Sequence, residues 1–432
     1  MLNAKRFWDP LYGVVQLDDF EYGLVRLAEV QRLRYVRMCN INSMLVTGAS
    51  EISRFEHTLG VLYLAKIWCG KNAIAGPVSQ DIRAAAVLHD MQTGPFGHSM
   101  QYVLEDNELE GDFIHEDLSH GWRSAYHQEV MAGASFAGRT FGAPTYLAAR
   151  WEKVASIIRG EGIHGPLIAG TMDLDNIDNV VRLAYHVGVA NRDDCGIPIA
   201  LARAIKCQLG EVILPDSCIP DVKRWQSIRR RLYELLLLDW AEFAAKAMLT
   251  RAIEEAARME IIGADSWVRT DSEFLEDLER RAVGDAQEVR ELIRRLRRGD
   301  LYEPIVLLKT PSTQLYLDLN SSQAKRNLER ELTQSLRAKG LKPIVHFILD
   351  KGKTDRQVSF TSEDDGKLVT LGSNSKQLLA GLFLSSATIS EATRRAAGIA
   401  FRDILIKKGA INLLDLDDPM KISILQPQSH LI

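Results

Sequence analysis

Residues 84–98 read AAAVLHDMQTGPFGH, an apolar run that delivers His89 and Asp90 side by side, followed by a Gly-Pro break and a further polar candidate, His98. An imidazole and a carboxylate are both good ligands for a divalent transition metal. Adjacent residues on a helix diverge by about 100°, so the pair can share one ion only from the helix end. Other segments must then complete the shell. Partners occur on both sides: His57 in SRFEHTLGV upstream, and Asp173, Asp175 and Asp178 in MDLDNIDNVVRLAYHVG downstream. Eight of the ten histidines (57, 89, 98, 115, 120, 127, 164, 186) fall between 57 and 186, which makes that window the place to seek metal chemistry. A lone histidine is more often a core or capping residue, so the weight rests on the ordered set His57, His89-Asp90 and Asp175. The i, i+3 spacing of Asp175 and Asp178 puts both carboxylates on nearly one helix face, with Asp178 suited to orienting a neighbour.

Six stretches extend the pattern: KRFWDPLYG (5–13), QRLRY (31–35), GASEISRFEHTLGVLYLA (48–65), LHDMQTGPFGH (88–98), IHED (114–117) and MDLDNIDNVVRLAYHVGV (172–189). In this order they resemble the HD-domain phosphohydrolases, and within them the deoxynucleoside triphosphate triphosphohydrolase branch. A weaker likeness in helical pattern runs on to about residue 302. The resemblance implies a metal held by His57, His89, Asp90 and Asp175, with Arg54 as a planar clamp on phosphate. It implies that His115 and Glu116 line the site, His115 as acid or base, and that His98 is a further catalytic candidate. Two or three imidazoles favour a transition metal (Mn, Fe, Ni or Zn) over Mg. Hydrolysis of a phosphate ester needs charge neutralisation, a nucleophilic water and a protonated leaving group, and this set would supply them. The expected reaction is conversion of a deoxynucleoside triphosphate to deoxynucleoside and inorganic triphosphate, with dNTP depletion in antiviral defence as one setting.

The departures from that family are specific. Thr93 stands where another histidine is expected, and Gln101 where an acidic partner is. On the last metal helix the lysine, tyrosine and aspartate that contact substrate become Asn176, Asn179 and Leu183, while Arg182 remains; Arg54, Asn176, Asn179 and Arg182 are therefore the substrate-contact candidates. His120 has no counterpart and is a candidate second-metal ligand. Lys5, Gln31 and Arg34 match positions that bind an activating nucleotide between subunits. Arg26 replaces the acid that reads guanine in the mammalian member, so an activator other than GTP is expected. The matching surfaces imply a homo-oligomer, a tetramer or hexamer. Two other readings stay open: another phosphoester hydrolase on the same core (nucleotide phosphatase, phosphodiesterase or nuclease), and a nucleotide-sensing protein with weakened catalysis.

The elements that must position these residues follow from composition and periodicity. The 432 residues are 46% hydrophobic and 25% charged, a balance typical of soluble globular chains and long enough for two or three cores. A net charge of -4 argues against broad electrostatic binding to nucleic acid or an anionic membrane, although local patches stay open. Five cysteines without CxxC spacing suit a reducing cytoplasm. The start lacks an apolar signal region, and no run of 18 apolar residues suggests a membrane span. VVQL suggests a short strand. Leu24, Leu27, Val30, Leu33 and Val36 predict one helix over 21–38 with a basic face (Arg26, Arg32, Arg34, Arg37). Further helices are expected over 53–68, 81–90, 151–159 and 167–188, with a helical stretch from 98, helices through 222–300, and no firm assignment over 200–218. From 303 the runs PIVLLKT, LYLDLN, PIVHFILD, QVSFT and KLVTL read as strands and 322–340 as a helix, and the stretch from KQLLAGLFL to FRDILI reads as one or two helices. The expected class is mainly α, an HD-domain helical core with a mixed α+β C-terminal region. The expected divisions are 1–50 (amino-terminal segment), 51–200 (catalytic core), 201–302 (helical continuation) and 303–432 (α+β appendage).

Overall fold

Ser53 opens the central helix: its hydroxyl accepts from the Glu56 amide, and α3 (Arg54–Lys71) then runs 18 residues. Val61, Leu62, Leu64, Ala65 and Trp68 are all at most 2% exposed, so this helix is buried on nearly every side and the others are laid around it. The computed structural model of the chain describes residues 5–39, 52–97, 100, 103, 143–262, 264–336, 342–352, 354, 356–385 and 390–416. Ahead of α3 lie a two-stranded hairpin, β1 (Arg6–Asp9) and β2 (Gly13–Gln16), and the short helices α1 (Asp19–Val25) and α2 (Ala28–Arg32). After it come α4 (Gly76–Leu88), α5 (Ala143–Ile158), α6 (Leu174–His186) and α7 (Gly196–Ala204). α4, α6 and α7 pack directly on α3, α5 packs on α4, and all contribute to one apolar core.

The chain continues through the hairpin β3 (Lys206–Gln208) and β4 (Glu211–Leu214) to α8 (Ile219–Leu238), α9 (Trp240–Arg258), α10 (Asp271–Arg281) and α11 (Gln287–Arg298). A second core joins α9, α10 and α11 through Phe243, Trp267 and Phe274. Beyond it are β5 (Glu303–Thr310), α12 (Ser322–Leu336), β6 (Pro343–Asp350), β7 (Val358–Ser362), β8 (Leu368–Leu371), β9 (Gln377–Leu384), α13 (Glu391–Lys407) and β10 (Leu414–Asp415). One sheet has the order β10-β5-β9-β6, all antiparallel, and α12 and α13 contribute to the apolar core built on it. The other has the order β3-β4-β7-β8, in which β4 and β7 are parallel. β7 and β8 therefore belong to a sheet begun before α8, and Val358 and Phe360 sit in the core of α3. The architecture is mainly helical with a mixed α+β carboxy-terminal region.

Three expectations change. The single helix over 21–38 is broken into α1, α2 and a 3-10 turn at Leu33–Tyr35. The five apolar residues recur every three positions, and on a straight α-helix such a row would wind around the axis. Breaking at Leu27, whose ψ of 142° is non-helical, leaves Leu24, Leu27, Val30, Leu33 and Val36 all at 1% exposure or less. LYLDLN forms a short helix, Gln314–Leu319, because Leu315 and Leu319 are buried while Leu317 is 72% exposed, a four-residue period rather than a two-residue one. QLLAGLFL is a strand, not a helix: β9 lies between β5 and β6, and a strand covered on both faces loses the alternation that would have marked it. Over 200–218, Leu209 and Gly210 turn the β3-β4 hairpin with φ of 51° and 81°.

Candidate metal centre

α4 ends on the doublet. His89 is its C-cap, with Asp90 in the following turn, and the two are 6% and 3% exposed. His89 Nδ1 lies 2.9 Å from the Ala86 carbonyl, a contact it can make only as donor, which turns the Nε2 lone pair inward. From α3, His57 Nε2 stands 3.4 Å from His89 Nε2. From α6, Asp175 Oδ1 is 2.8 Å from His57 Nε2 and 3.9 Å from His89 Nε2, and Asp90 Oδ2 is 3.7 Å from His89 Nε2. Ligand bonds of about 2.0–2.2 Å imply ligand-to-ligand separations of roughly 3–4 Å, so the donor set fits a divalent ion. Among the described residues, His57, His89 and Asp90 form the cluster whose donors all lie within 4.8 Å of one another, and Asp175 closes on the imidazole side.

Behind the cluster is an ionic network centred on the buried His57, Asp178 and Arg182. His57 Nδ1 faces Asp178 Oδ2 at 2.8 Å, and Asp178 is held in turn by Arg182 Nε at 2.8 Å and by the Tyr12 hydroxyl at 2.6 Å. Burial would raise the Asp178 carboxyl, but Arg182 and His57 outweigh it and hold the group well below the usual carboxylate range. Burial likewise opposes charge on His57, and the flanking Asp175 and Asp178 overcome it, pushing the imidazole up to about 10. Its outer proton therefore stands where a metal would bind. Arg182, with no exposure, completes its pairing with Asp9 at 3.0 Å and Glu56 at 2.7 Å. Gly60 makes room for this pair, since a Cβ there would stand 2.2 Å from both Arg182 Nη2 and Asp178 Oδ1.

The Asp90 side is built differently. Arg54 Nη1 donates to Asp90 Oδ1 at 2.7 Å, and the Thr93 hydroxyl donates to the same oxygen at 3.0 Å. Gly97, at φ 59°, brings the GPFG turn close to this guanidinium: a Cβ would lie 2.6 Å from Arg54 Nη2. Arg32 holds the intervening turn through the carbonyls of Met91 (3.2 Å) and Thr93 (2.6 Å), and Trp267 Nε1 donates to the Gln92 carbonyl at 2.6 Å. Asp271, at the start of α10, accepts from the amides of Phe96 (2.8 Å) and Arg37 (3.0 Å).

The expected site residues thus divide. His57, His89, Asp90, Asp175 and Arg54 converge. His98, His115, Glu116, Gln101 and His120 lie outside the described residues. Arg182 is buried behind His57, where its guanidinium pairs with carboxylates. Asn176 lines a cavity of ≈ 300 Å³ with His89, Gly170, Asp173 and Asp175, but its amide donates to both oxygens of Asp173. Burial, and then the Asp175 charge, push Asp173 up to about 7. Asn179 is half-buried and does not line that cavity. Leu183 is buried. Lys5 pairs with Asp19, Arg26 lies over the Tyr22 ring, Gln31 accepts from Arg34 Nε at 2.8 Å, and Arg34 lies 3.7 Å over the Phe55 ring. A larger cavity of ≈ 760 Å³ between α11, α12 and β6 contains none of the metal ligands, and its lining charges, such as Arg251, Glu288 and Glu329, pair with one another. The supporting residues Asp9, Tyr12, Glu56 and Gly60 were not singled out from sequence, although each sits inside a quoted stretch.

The HD domain family model matches residues 54–183. The chain is 24% identical over 269 residues to the uncharacterized protein YwfO of Bacillus subtilis, a match covering 60% of this chain and 57% of that one. It is 21% identical over 324 residues to the deoxynucleoside triphosphate triphosphohydrolase SAMHD1 homolog of Dictyostelium discoideum (70% of this chain, 60% of that one). To the deoxynucleoside triphosphate triphosphohydrolase SAMHD1 of Danio rerio it is 24% identical over 319 residues (64% and 49%). In each case the match spans less than two thirds of the relative's length. A phosphohydrolase structure from Bacteroides thetaiotaomicron superposes with a TM-score of 0.62 at 15% identity over 87% of this chain and 99% of that one, a likeness of fold. Among the described residues no helix is long and apolar enough to cross a membrane. The chain carries an HD domain at residues 54–183 and resembles the deoxynucleoside triphosphate triphosphohydrolase branch of the HD-domain phosphohydrolases.

Proposed function

We propose that the chain hydrolyses deoxynucleoside triphosphates to deoxynucleoside and inorganic triphosphate in a metal-dependent reaction. The carrying observation is the cluster of His57, His89 and Asp90, with Asp175 2.8 Å from His57 and the Arg54 guanidinium 2.7 Å from Asp90. A divalent metal held there would neutralise phosphoryl oxygens and make a bound water more acidic. The two imidazoles favour Mn, Fe, Ni or Zn over Mg. Arg54, already fixed by Asp90, presents its remaining donors to phosphate without a further loss of side-chain freedom. By the family resemblance, His115 with Glu116, and His98, are the candidates for acid or base. Support for the nucleotide substrate comes from the relatives in Dictyostelium and zebrafish, both named as deoxynucleoside triphosphate triphosphohydrolases.

The same reading includes a homo-oligomer, tetramer or hexamer, with an activating nucleotide at Lys5, Gln31 and Arg34, and dNTP depletion, including antiviral defence, as its setting. A second reading, hydrolysis of a different nucleotide phosphoester, is favoured by Asn176, which is neutral and turned onto Asp173. Incubation with each dNTP and NTP under several divalent metals, with separation of nucleoside, nucleotide and polyphosphate products, decides between them. Release of inorganic triphosphate from a dNTP is expected. Orthophosphate or pyrophosphate as the only inorganic product, or no turnover with any metal, overturns the proposal.

A further inference from the structure

The cavity at the metal centre is lined by two carboxylates, Asp173 and Asp175, and position 176 contributes a neutral amide. A polyphosphate chain entering it needs cations from elsewhere. One guanidinium stands at its edge, and a second lies within electrostatic reach of it. Arg356, in the connection from β6 to β7, reaches back across the fold: Nη1 donates to Asn176 Oδ1 at 2.8 Å and Nη2 to the Gly170 carbonyl at 3.0 Å. Both acceptors are neutral, both belong to residues lining the cavity, and among the described residues no carboxylate pairs with Arg356. Arg229, on α8, is only 4% exposed, yet its Nε and Nη1 have no hydrogen-bond partner among the described residues. It lies 4.5 Å over the Tyr233 ring and 5.7 Å from that of Trp225, again with no paired carboxylate.

The two cations share one neighbourhood. Gln226, three residues before Arg229 and so on the same helical face, donates to the Arg356 carbonyl at 3.0 Å and to the Leu371 carbonyl at 3.1 Å. Burial lowers the Arg229 pKa, and the Arg356 charge pushes in the same direction against the opposing influence of Tyr233 and Asp173. The two guanidiniums repel and neither is in a direct ion pair among the described residues, so a bound anion bridging them would relieve that cost while satisfying the idle donors on Arg229.

We propose that Arg356 and Arg229 form an anion clamp at the edge of the metal cavity, holding the phosphate chain of a nucleotide beyond the bond that is cleaved. The inference rests on the phosphohydrolase reading and adds the residues that replace the missing cation at position 176. The carboxy-terminal region thereby contributes to the site through the sheet that β7 and β8 share with β3 and β4.

The test uses the full chain. Inorganic triphosphate is titrated calorimetrically, with and without Mn, into the wild type and into Arg356→Gln, Arg356→Lys and Arg229→Gln. Arg356→Gln keeps a hydrogen-bonding side chain for docking but loses the charge. It should weaken triphosphate binding by about tenfold or more, and Arg356→Lys should recover only part, because an ammonium lacks the planar fork. In turnover, Arg356→Gln should raise KM for a dNTP more than it lowers kcat, and leave KM for p-nitrophenyl phosphate, which has no second phosphate, unchanged. If the buried Arg229→Gln fails to fold, the half-buried Arg356 variants still decide. Equal triphosphate binding by wild type and a folded Arg356→Gln, or no binding by the wild type, overturns the clamp. A clamp that binds triphosphate in a chain that turns over no nucleotide would instead sink the proposed reaction, so the two failures are distinguishable.

Discussion

Asp178 orients His57 and also neutralises Arg182, so its removal tests both links. Replacing it with asparagine keeps the shape but removes the charge that fixes the outward-facing nitrogen of His57. Metal affinity should fall by about 10- to 100-fold, the range for loss of a carboxylate behind a ligating histidine. Titration of the metal-free protein with Mn or Zn measures it, and unchanged affinity would show that His57 is not a ligand held from behind. Gly60→Ala probes the same network sterically: its Cβ would sit 2.2 Å from atoms of Arg182 and Asp178, neither of which can retreat from full burial. A destabilisation of about 1–3 kcal/mol is expected from overpacking, read as a lowered urea midpoint. The His57, His89 and Asp90 cluster was readable because its members sit in short motifs with fixed local spacing. For Arg182, a motif records that an arginine is present, not which way it points. Contacts with Asp178 one turn back, with Glu56 126 residues away and with Asp9 across the fold show its guanidinium to be occupied.

The turn after the doublet is held by elements far from it in sequence. Asp271, only 4% exposed, accepts from two amides, one in the GPFG turn and one in the segment before α3. Asp271→Ala leaves both N–H groups without an acceptor, at a cost on the order of 1–3 kcal/mol each. The loss should appear both as a lower thermal midpoint and as weaker metal binding, because Arg54 packs on the same turn. A variant with lowered stability but native metal affinity would separate the turn from the site. Element type was legible where one period dominated, as in α6 and β7. It failed where burial was two-sided, as in β9, or where apolar residues recur every three positions, as from Leu24 to Val36. In those cases tertiary packing, which the local pattern does not record, selects the backbone.

At the scale of the whole molecule, the helical half meets the β10-β5-β9-β6 sheet across a buried charged layer. Lys325 pairs with Glu254 and Arg251 with Glu329, and Glu329 also accepts from the Val345 amide at 2.9 Å. His346 lies among them, 8% exposed and edge-on to Phe243 at 5.7 Å. Burial holds its pKa well below the ordinary histidine value, and the surrounding charges of Lys325, Lys246 and Arg251 act in the same direction. The folded state therefore keeps His346 neutral through a range in which the unfolded chain, with a pKa near 6.5, takes up a proton. Below about pH 6.5 the unfolded state binds more protons, so stability falls with falling pH until the depressed folded pKa is reached; above 6.5 the term vanishes. One proton corresponds to a slope of about 1.4 kcal/mol per pH unit. Urea unfolding at pH 7.5, 6.5 and 5.5 should show the wild type losing stability more steeply than His346→Leu below 6.5, by up to about that slope. Contributions from His57 and the carboxylates are common to both proteins and cancel in the difference. Parallel curves for the two proteins would mean that His346 is protonated as readily in the folded chain as in the unfolded one, and that the charged layer opens to water.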